Sequence, residues 1–197
     1  MTGVVLAGGF SSRMGRDKAS LPWLETDFIH VILNQLALFC DELIVVDNNR
    51  LNLNDPRVKT VPDIIPQRGP LSGIHAGLTS ASSDHVFVTA CDMPYISVPA
   101  ALHLCSQAPG WDVVVPVAGS HCEPLFACYS KTCIPVIENL LTQDRRKVSD
   151  LLQLVRCKQI LIEELLKFDP SRNFLRNINS PDEYDFALNE LKNQSDS

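Results

Sequence analysis

Apolar residues fall in short blocks separated by polar turns, and the blocks alternate between two periods. Gly3–Leu6 is a continuous apolar run ended by Gly8-Gly9 and reads as a buried strand. Asp27–Cys40 carries Ile29, Ile32, Leu33, Leu36 and Phe39 at helical spacing. Glu42–Val46, bounded by Asp47-Asn48-Asn49, predicts a second strand, and Val58–Val61 a third. Leu71–Ser80 predicts a helix opened by a Gly-Pro turn. His85–Thr89 is a β-branched and aromatic strand, Pro99–Gln107 a helix and Asp112–Val117 another strand. Farther on, Glu123–Tyr129 predicts a strand, Thr132–Leu141 a helix, Val148–Leu154 a short helix and Arg156–Ile162 an edge strand. Pro181–Leu191 closes the pattern as a helix. Ser180 is its N-cap, Pro181 sits in the first turn, and Asp182 and Glu183 suit the positive end of the dipole.

Strand and helix in alternation predict an α/β fold: a mostly parallel sheet with helices on both faces. The expected organisation is one domain over residues 1–192 and a polar tail at 193–197. Ligands of such sheets bind beyond the carboxyl ends of the strands. Four segments qualify: Ala7–Lys18, Asp47–Arg50, Asp63–Gly73 and Ala90–Tyr95.

Composition narrows the function classes. The chain has 197 residues, 45% of them apolar and 20% charged, an ordinary globular mixture. A formal charge of −6 argues against a domain-wide basic surface for nucleic acid. No apolar run approaches a membrane span and no secretory signal is recognisable, so a cytoplasmic protein is expected. The seven cysteines are odd in number and form no C-x-x-C pair, so they read as reduced thiols acting as small hydrophobes.

Four constellations can carry chemistry. In Leu6-Ala7-Gly8-Gly9-Phe10-Ser11-Ser12-Arg13-Met14-Gly15-Arg16-Asp17-Lys18, two glycines directly after a strand let backbone approach a ligand closely. Arg13 and Lys18 are cations suited to phosphate oxygens. The run is neither a P-loop nor G-x-G-x-x-G, and it reads as a triphosphate cradle or as an exposed basic turn. In Val86–Pro94, Asp92 emerges where Pro94 stops the strand, as a ligand for Mg²⁺ or as a turn cap. Asp63, with Gly69-Pro70-Leu71-Ser72-Gly73 after it, offers an acceptor and a helix whose Gly73 and Gly77 allow close approach on one side, as a wall for a base or sugar. The alternative is a plain loop and a packed helix. Asn177-Ile178-Asn179 presents two amides on one side of an extended segment, and the bland reading is helix capping. Arg145-Arg146-Lys147 reads as a solvated basic loop, with an anionic substrate or partner as its other reading.

Leu6-Ala7-Gly8-Gly9-x-Ser11-Ser12-Arg13-Met14-Gly15-x-Asp17-Lys18-Ala19 closely resembles the signature of nucleotidyltransferases with a Rossmann-like, three-layer α/β/α fold. The nearest resemblance is to the molybdenum cofactor guanylyltransferases. Asp63, Gly69-Pro70-Leu71-x-Gly73, Cys91-Asp92-x-Pro94, Glu123-Pro124-Leu125 and Asn177-x-Asn179-x-Pro181 agree in order and spacing, so it covers nearly the whole chain. The resemblance implies transfer of GMP from GTP to molybdopterin with release of pyrophosphate. In that role Leu6, Ala7, Gly8 and Gly9 line the nucleotide, Arg13 and Lys18 neutralise phosphate charge, and Asp63 contacts the nucleotide. Asp92 holds Mg²⁺ on the phosphates, and Asn177 and Asn179 face the pterin. Further partners implied are other cofactor-biosynthesis proteins or recipient apo-molybdoenzymes. The acceptor is already an anionic phosphate, so catalysis reduces to alignment and charge neutralisation.

The resemblance breaks at three places, one of them Asp144–Phe168, which carries no distinct signature. Leu21-Pro22-Trp23-Leu24-Glu25-Thr26-Asp27 has neither the Gly nor the Lys of the Gly-Lys-Pro-like turn usual after the first loop. Asp47 stands where the family often has Asn. Three functions stay open: the guanylyltransferase, a cytidylyl or sugar-phosphate nucleotidyltransferase, and a non-catalytic module that binds and delivers nucleotide or cofactor. Gly8-Gly9 and Asp17-Lys18 favour guanylyl transfer by resemblance, and the charges at Arg13, Lys18 and Asp92 favour an enzyme over a pure binder.

Overall fold

The computed structural model describes residues 1–7, 19, 21–48, 51, 53–64 and 69–195. Its centre is a sheet in the order β5-β4-β1-β6-β9-β7-β10, with the short β8 also pairing with β7. The strands are β1 (Thr2–Leu6), β4 (Glu42–Val46), β5 (Val58–Val61), β6 (His85–Ala90), β7 (Val113–Ala118), β8 (His121–Cys122), β9 (Phe126–Ser130) and β10 (Cys157–Leu161). β1 is parallel to β4 and β6, β4 to β5, and β7 to β10. β9 is inserted antiparallel between β6 and β7. The expected mostly parallel α/β sheet is therefore present, with two reversed strands, β9 and the short β8, which is antiparallel to β7.

Both faces of the sheet are covered because its strands are apolar on both sides. Val5, Val45, Phe87 and Cys128 point to one face, where α1 (Phe28–Leu36) and α3 (Val98–Ser106) pack. Val4, Leu6, Val86 and Val88 point to the other, under α2 (Pro70–Ser80), α4 (Ile134–Thr142) and α5 (Val148–Leu152). A period of two along each strand thus serves two cores at once.

The glycines on α2 set its height above the sheet. A Cβ on Gly77 would lie 2.6 Å from Val4 Cγ1, and one on Gly73 would lie 3.0 Å from Leu6 Cδ2. The close helical approach expected from these glycines is real, and its consequence is to carry the α2 N-terminus to the end of β1.

Several elements differ from the expectation. α1 starts after Asp27, which accepts from His30 N at 3.0 Å as N-cap, and ends at Leu36, short of Cys40. The residues before it form a two-stranded ribbon, β2 (Pro22–Trp23) with β3 (Thr26–Asp27). Trp23 is buried there, edge-on to Phe28 at 4.7 Å. The Glu123–Tyr129 strand begins only at Phe126. Glu123 belongs to the turn, where its amide donates to Pro116 O. A short α6 (Ile162–Leu165) follows β10, and α7 (Pro181–Ser195) runs into the stretch read as a tail.

The cysteines behave as expected of reduced thiols. All seven are free, and Cys40, Cys105, Cys128 and Cys133 are buried. Burial pushes the Cys40 and Cys133 thiols up to about 12 and Cys157 to about 11, which makes them poor nucleophiles.

The β7–β10 edge is fastened by one carboxylate. Asp112 accepts from Thr132 Oγ1 at 2.7 Å and from Arg156 N, Nε and Nη2 at 2.9, 3.1 and 2.9 Å. The Arg156 guanidinium holds its carboxyl well below the usual range. A depressed folded pKa means the stabilisation is present above the ordinary carboxylate value and is lost as pH falls through the folded one. Asp112→Asn is expected to cost about 1–2 kcal/mol at neutral pH, discounted for Arg156's exposure. The deficit relative to wild type should shrink in acid below about pH 4, as read by urea unfolding across pH. A pH-independent deficit would contradict this account.

Candidate active site

The parallel strands end together on one rim. Three hydrogen bonds align them: Ala7 N to Val46 O at 3.0 Å, Asp47 N to Val61 O at 2.9 Å and Cys91 N to Leu6 O at 3.1 Å. Past β1 the chain crosses to β4 on one side, and past β5 it returns through α2 to β6 on the other. The rim between β1 and β6 is therefore the point where the strand order reverses, the usual ligand crevice of such sheets.

Of the expected site residues, Leu6 and Ala7 sit at this point. The Leu6 carbonyl and the Ala7 amide are engaged by neighbouring strands. Gly8, Gly9, Arg13 and Lys18 lie outside the described residues.

Asp63 stands just past β5 and is held by Asn48, just past β4. Asn48 Nδ2 donates to Asp63 Oδ2 at 3.0 Å, and Asp63 N donates to Asn48 Oδ1 at 3.0 Å. This reciprocal pair orients the Asp63 carboxylate and leaves Oδ1 as a further acceptor site. The neighbouring Asp47 is fully buried, and its Oδ2 accepts from Leu51 N at 2.9 Å. Asp47 thus folds its own loop, whereas Asn48, which sequence reasoning passed over, orients the functional candidate.

Asp92 lies two residues beyond β6, half-buried. Its carbonyl accepts from Ile178 N at 2.9 Å. That single bond brings the Asn177–Asn179 segment against the Asp92 turn, from far along the chain. Ile178 is fully buried, while Asn177 is half-buried and Asn179 exposed, so the two amides share the side opposite Ile178. Asn177 Oδ1 is buried and has no hydrogen-bond partner among the described residues. The expected capping chemistry is also present. Glu183 Oε2 accepts from Asn179 N at 2.6 Å and Ser180 N at 3.1 Å, and Ser180 Oγ accepts from Glu183 N at 3.2 Å.

Glu123 joins the rim because β9 is antiparallel. Glu123 lies in the turn before β9, near enough to Asp92 for the two carboxylates to feel one another. The Glu123 carboxyl is raised above its ordinary value, first by burial and further by the Asp92 charge, with His121 opposing. The Glu123-Pro124-Leu125 run marks the family resemblance, but periodicity places it inside a strand. Only the antiparallel pairing of β9 with β6 brings it near Asp92.

Asp92 and Glu123 interact through their charges, and Asn177 is the neighbour of Ile178, whose amide bonds the Asp92 carbonyl. Carboxylates suit Mg²⁺, which binds through one or two of them plus substrate phosphates. Among the described residues, no group of three His, Cys, Asp or Glu could hold a metal by itself. No helix among them is long and apolar enough to cross a membrane.

Comparison with known proteins agrees with this geometry. The MobA-like NTP transferase domain matches residues 3–160. A probable molybdenum cofactor guanylyltransferase of Pelotomaculum thermopropionicum is 41% identical over 183 residues, 91% of this chain and 88% of that protein. The molybdenum cofactor guanylyltransferase of Desulfosudis oleivorans is 32% identical, with 98% and 96% covered. The crystal structure of molybdopterin-guanine dinucleotide biosynthesis protein A from Archaeoglobus fulgidus superposes with a TM-score of 0.83 at 25% identity, covering 98% of this chain and all of that one. With its strand order, its rim of Asp63, Asp92 and the Asn177–Asn179 segment, and these relatives, the chain belongs to the MobA-like NTP transferase family, among the molybdenum cofactor guanylyltransferases, and is a nucleotidyltransferase.

Proposed function

We propose that this enzyme transfers GMP from GTP to the phosphate of molybdopterin, giving molybdopterin guanine dinucleotide and pyrophosphate. The observation that carries the reading is the Ile178–Asp92 hydrogen bond. It joins a carboxylate suited to the phosphates of one substrate to a pair of amides suited to a second.

On one side of the rim the nucleotide lies against Ala7 and the α2 start, with Asp63 as acceptor for ribose or base. Asn48 fixes the orientation of that carboxylate. On the other side Asn177 and Asn179 receive the pterin, whose amino and carbonyl edges match amide donors and acceptors. Gly8 and Gly9 complete the nucleotide side, and Arg13 and Lys18 supply the cations for the departing pyrophosphate. An acceptor phosphate oxygen attacks the α-phosphorus, and the bond from that phosphorus to the β-phosphate bridging oxygen breaks. No proton has to be removed from the nucleophile, so the residues act by alignment and charge placement. Asp92, with Glu123 and Asn177 nearby, is the residue that would hold Mg²⁺. When bound with the phosphates, the ion would neutralise charge on the group being transferred.

The test is pyrophosphate release by the purified protein with Mg²⁺ and freshly prepared molybdenum-loaded molybdopterin, offering GTP and CTP separately. Release with GTP alone is the expected result. Release with CTP alone would overturn the base assignment and keep the nucleotidyltransferase. Silence with both, in a protein that binds GTP, would overturn the acceptor.

A further inference from the structure

Arg176 immediately precedes the Asn177–Asn179 segment and is enclosed by groups from two other parts of the chain. Its guanidinium lies 5.7 Å from the centre of the Tyr95 ring and 5.3 Å from that of Phe186. Its Nη1 donates to Glu190 Oε2 at 2.6 Å. Tyr95 lies three residues past Asp92, just beyond its turn, and Phe186 and Glu190 lie one turn apart on α7. The cluster continues inward. Trp23 meets Tyr95 edge-on at 5.5 Å, the Tyr184 hydroxyl donates to the Pro22 carbonyl, and Ile178 is buried with Leu21, Trp23, Phe28 and Ala187.

An isolated surface Arg–Glu pair contributes little, because two long side chains must be ordered in a screening solvent. This one differs. A planar guanidinium between two rings is already oriented, and its side chain is only 27% exposed. Whatever orders Arg176 also orders Asn177, the next residue. The same contact ties the Asp92 turn, through Tyr95, to α7.

We propose that Arg176 is a positioning residue: by bridging Tyr95 to Phe186 and Glu190, it sets the Asn177–Asn179 segment against the Asp92 turn and so raises affinity for the phosphate acceptor. This rests on the reading that Asn177 and Asn179 face that acceptor. Arg176 itself touches α7 and Tyr95, so its loss acts on the acceptor side and leaves the nucleotide side, built by β1, β5 and α2, in place.

The test is steady-state pyrophosphate release by Arg176→Met, Arg176→Lys and Asn177→Ala, with molybdenum-loaded molybdopterin varied at saturating GTP and GTP varied at saturating molybdopterin. Thermal unfolding is followed in parallel. Arg176→Met should raise the acceptor KM about tenfold while the KM for GTP and kcat stay within about threefold. Arg176→Lys, which keeps a cation for Glu190 and the rings, should recover part of the loss. Equal rises in both KM values, or a lowered Tm with an unchanged acceptor KM, would reduce Arg176 to a structural role and overturn the proposal. An effect from Asn177→Ala with none from Arg176→Met would overturn the proposal and keep the acceptor-side reading; silence from both would overturn that reading as well. Should Arg176→Met fail to fold, Phe186→Leu removes one wall of the enclosure at a residue 59% exposed, and the same KM split of about threefold is expected.

Discussion

Asp92→Ala is expected to lower Mg²⁺-dependent turnover by about 10²–10³-fold, the range seen when one preorganised charge-stabilising group is removed. Asp92 follows β6 at the reversal point of the sheet, where the proposed function brings the phosphates of both substrates together and has this carboxylate hold the divalent ion. Its backbone is fixed independently of its carboxylate. The Asp92 carbonyl is bonded to Ile178 N, and the turn is closed by Met93 N to Ala90 O at 3.2 Å. The variant should therefore fold, with Tm changed by a few degrees at most, and should still bind GTP through the Asp63 side of the rim. Single-turnover pyrophosphate release, GTP binding and thermal unfolding on one preparation separate these effects. A near-wild-type rate would remove Asp92 from the metal site and move attention to Glu123.

The largest stability loss is expected at Phe126→Ala. Phe126 is fully buried at the first position of β9, opposite Thr89 of β6. Its ring meets Phe87 edge-on at 5.0 Å and 89°, and Phe174 at 5.2 Å. Removing it leaves a void that these rings, held by β6 and by the turn before Asn177, cannot close. Burial lost and cavity left together cost about 3–5 kcal/mol. For a chain of this length that lowers Tm by roughly 6–20 °C. Phe126→Leu, which keeps most of the volume, should lose much less. Urea unfolding of the two variants checks the ranking, and a Phe126→Ala loss below about 1.5 kcal/mol would show that the site collapses around the gap. Phe126 also begins the strand whose preceding turn carries Glu123, so the variant tests how firmly that part of the rim is anchored.

Much of this architecture is legible in linear order. The apolar run Gly3–Leu6, the blocks at Glu42–Val46 and His85–Thr89 and the helical spacing after Asp27 recover the parallel half of the sheet. A strand apolar on both faces and a helix apolar on one each leave a distinct period. The Gly73–Gly77 spacing correctly signals close packing of α2, and Ser180-Pro181-Asp182-Glu183 correctly signals a helix start. Less legible are the β2–β3 ribbon and the late start of β9. Two-residue strands are too short to show a period. At Glu123–Phe126 a turn and a strand share apolar neighbours, and only Pro124 hints at the break.

For the site, linear order is enough to reach the fold class, the family and the positions of Asp63, Asp92, Asn177 and Asn179 beyond strand ends or before a helix. Those obey local rules: a strand that stops, a proline that stops it, a cap that starts a helix. Which of these residues meet is a matter of tertiary packing. Asn48 rather than Asp47 orients Asp63, because Asp47 is turned inward to bond Leu51 N. Glu123 reaches the Asp92 turn because β9 runs against its neighbours, and Asn177 reaches it because Ile178 bonds the Asp92 carbonyl. Arg176 is enclosed only because α7 returns over the β2–β3 ribbon. Each of these is a contact between residues distant along the chain. Its energy depends on strand direction and packing, which no local period encodes.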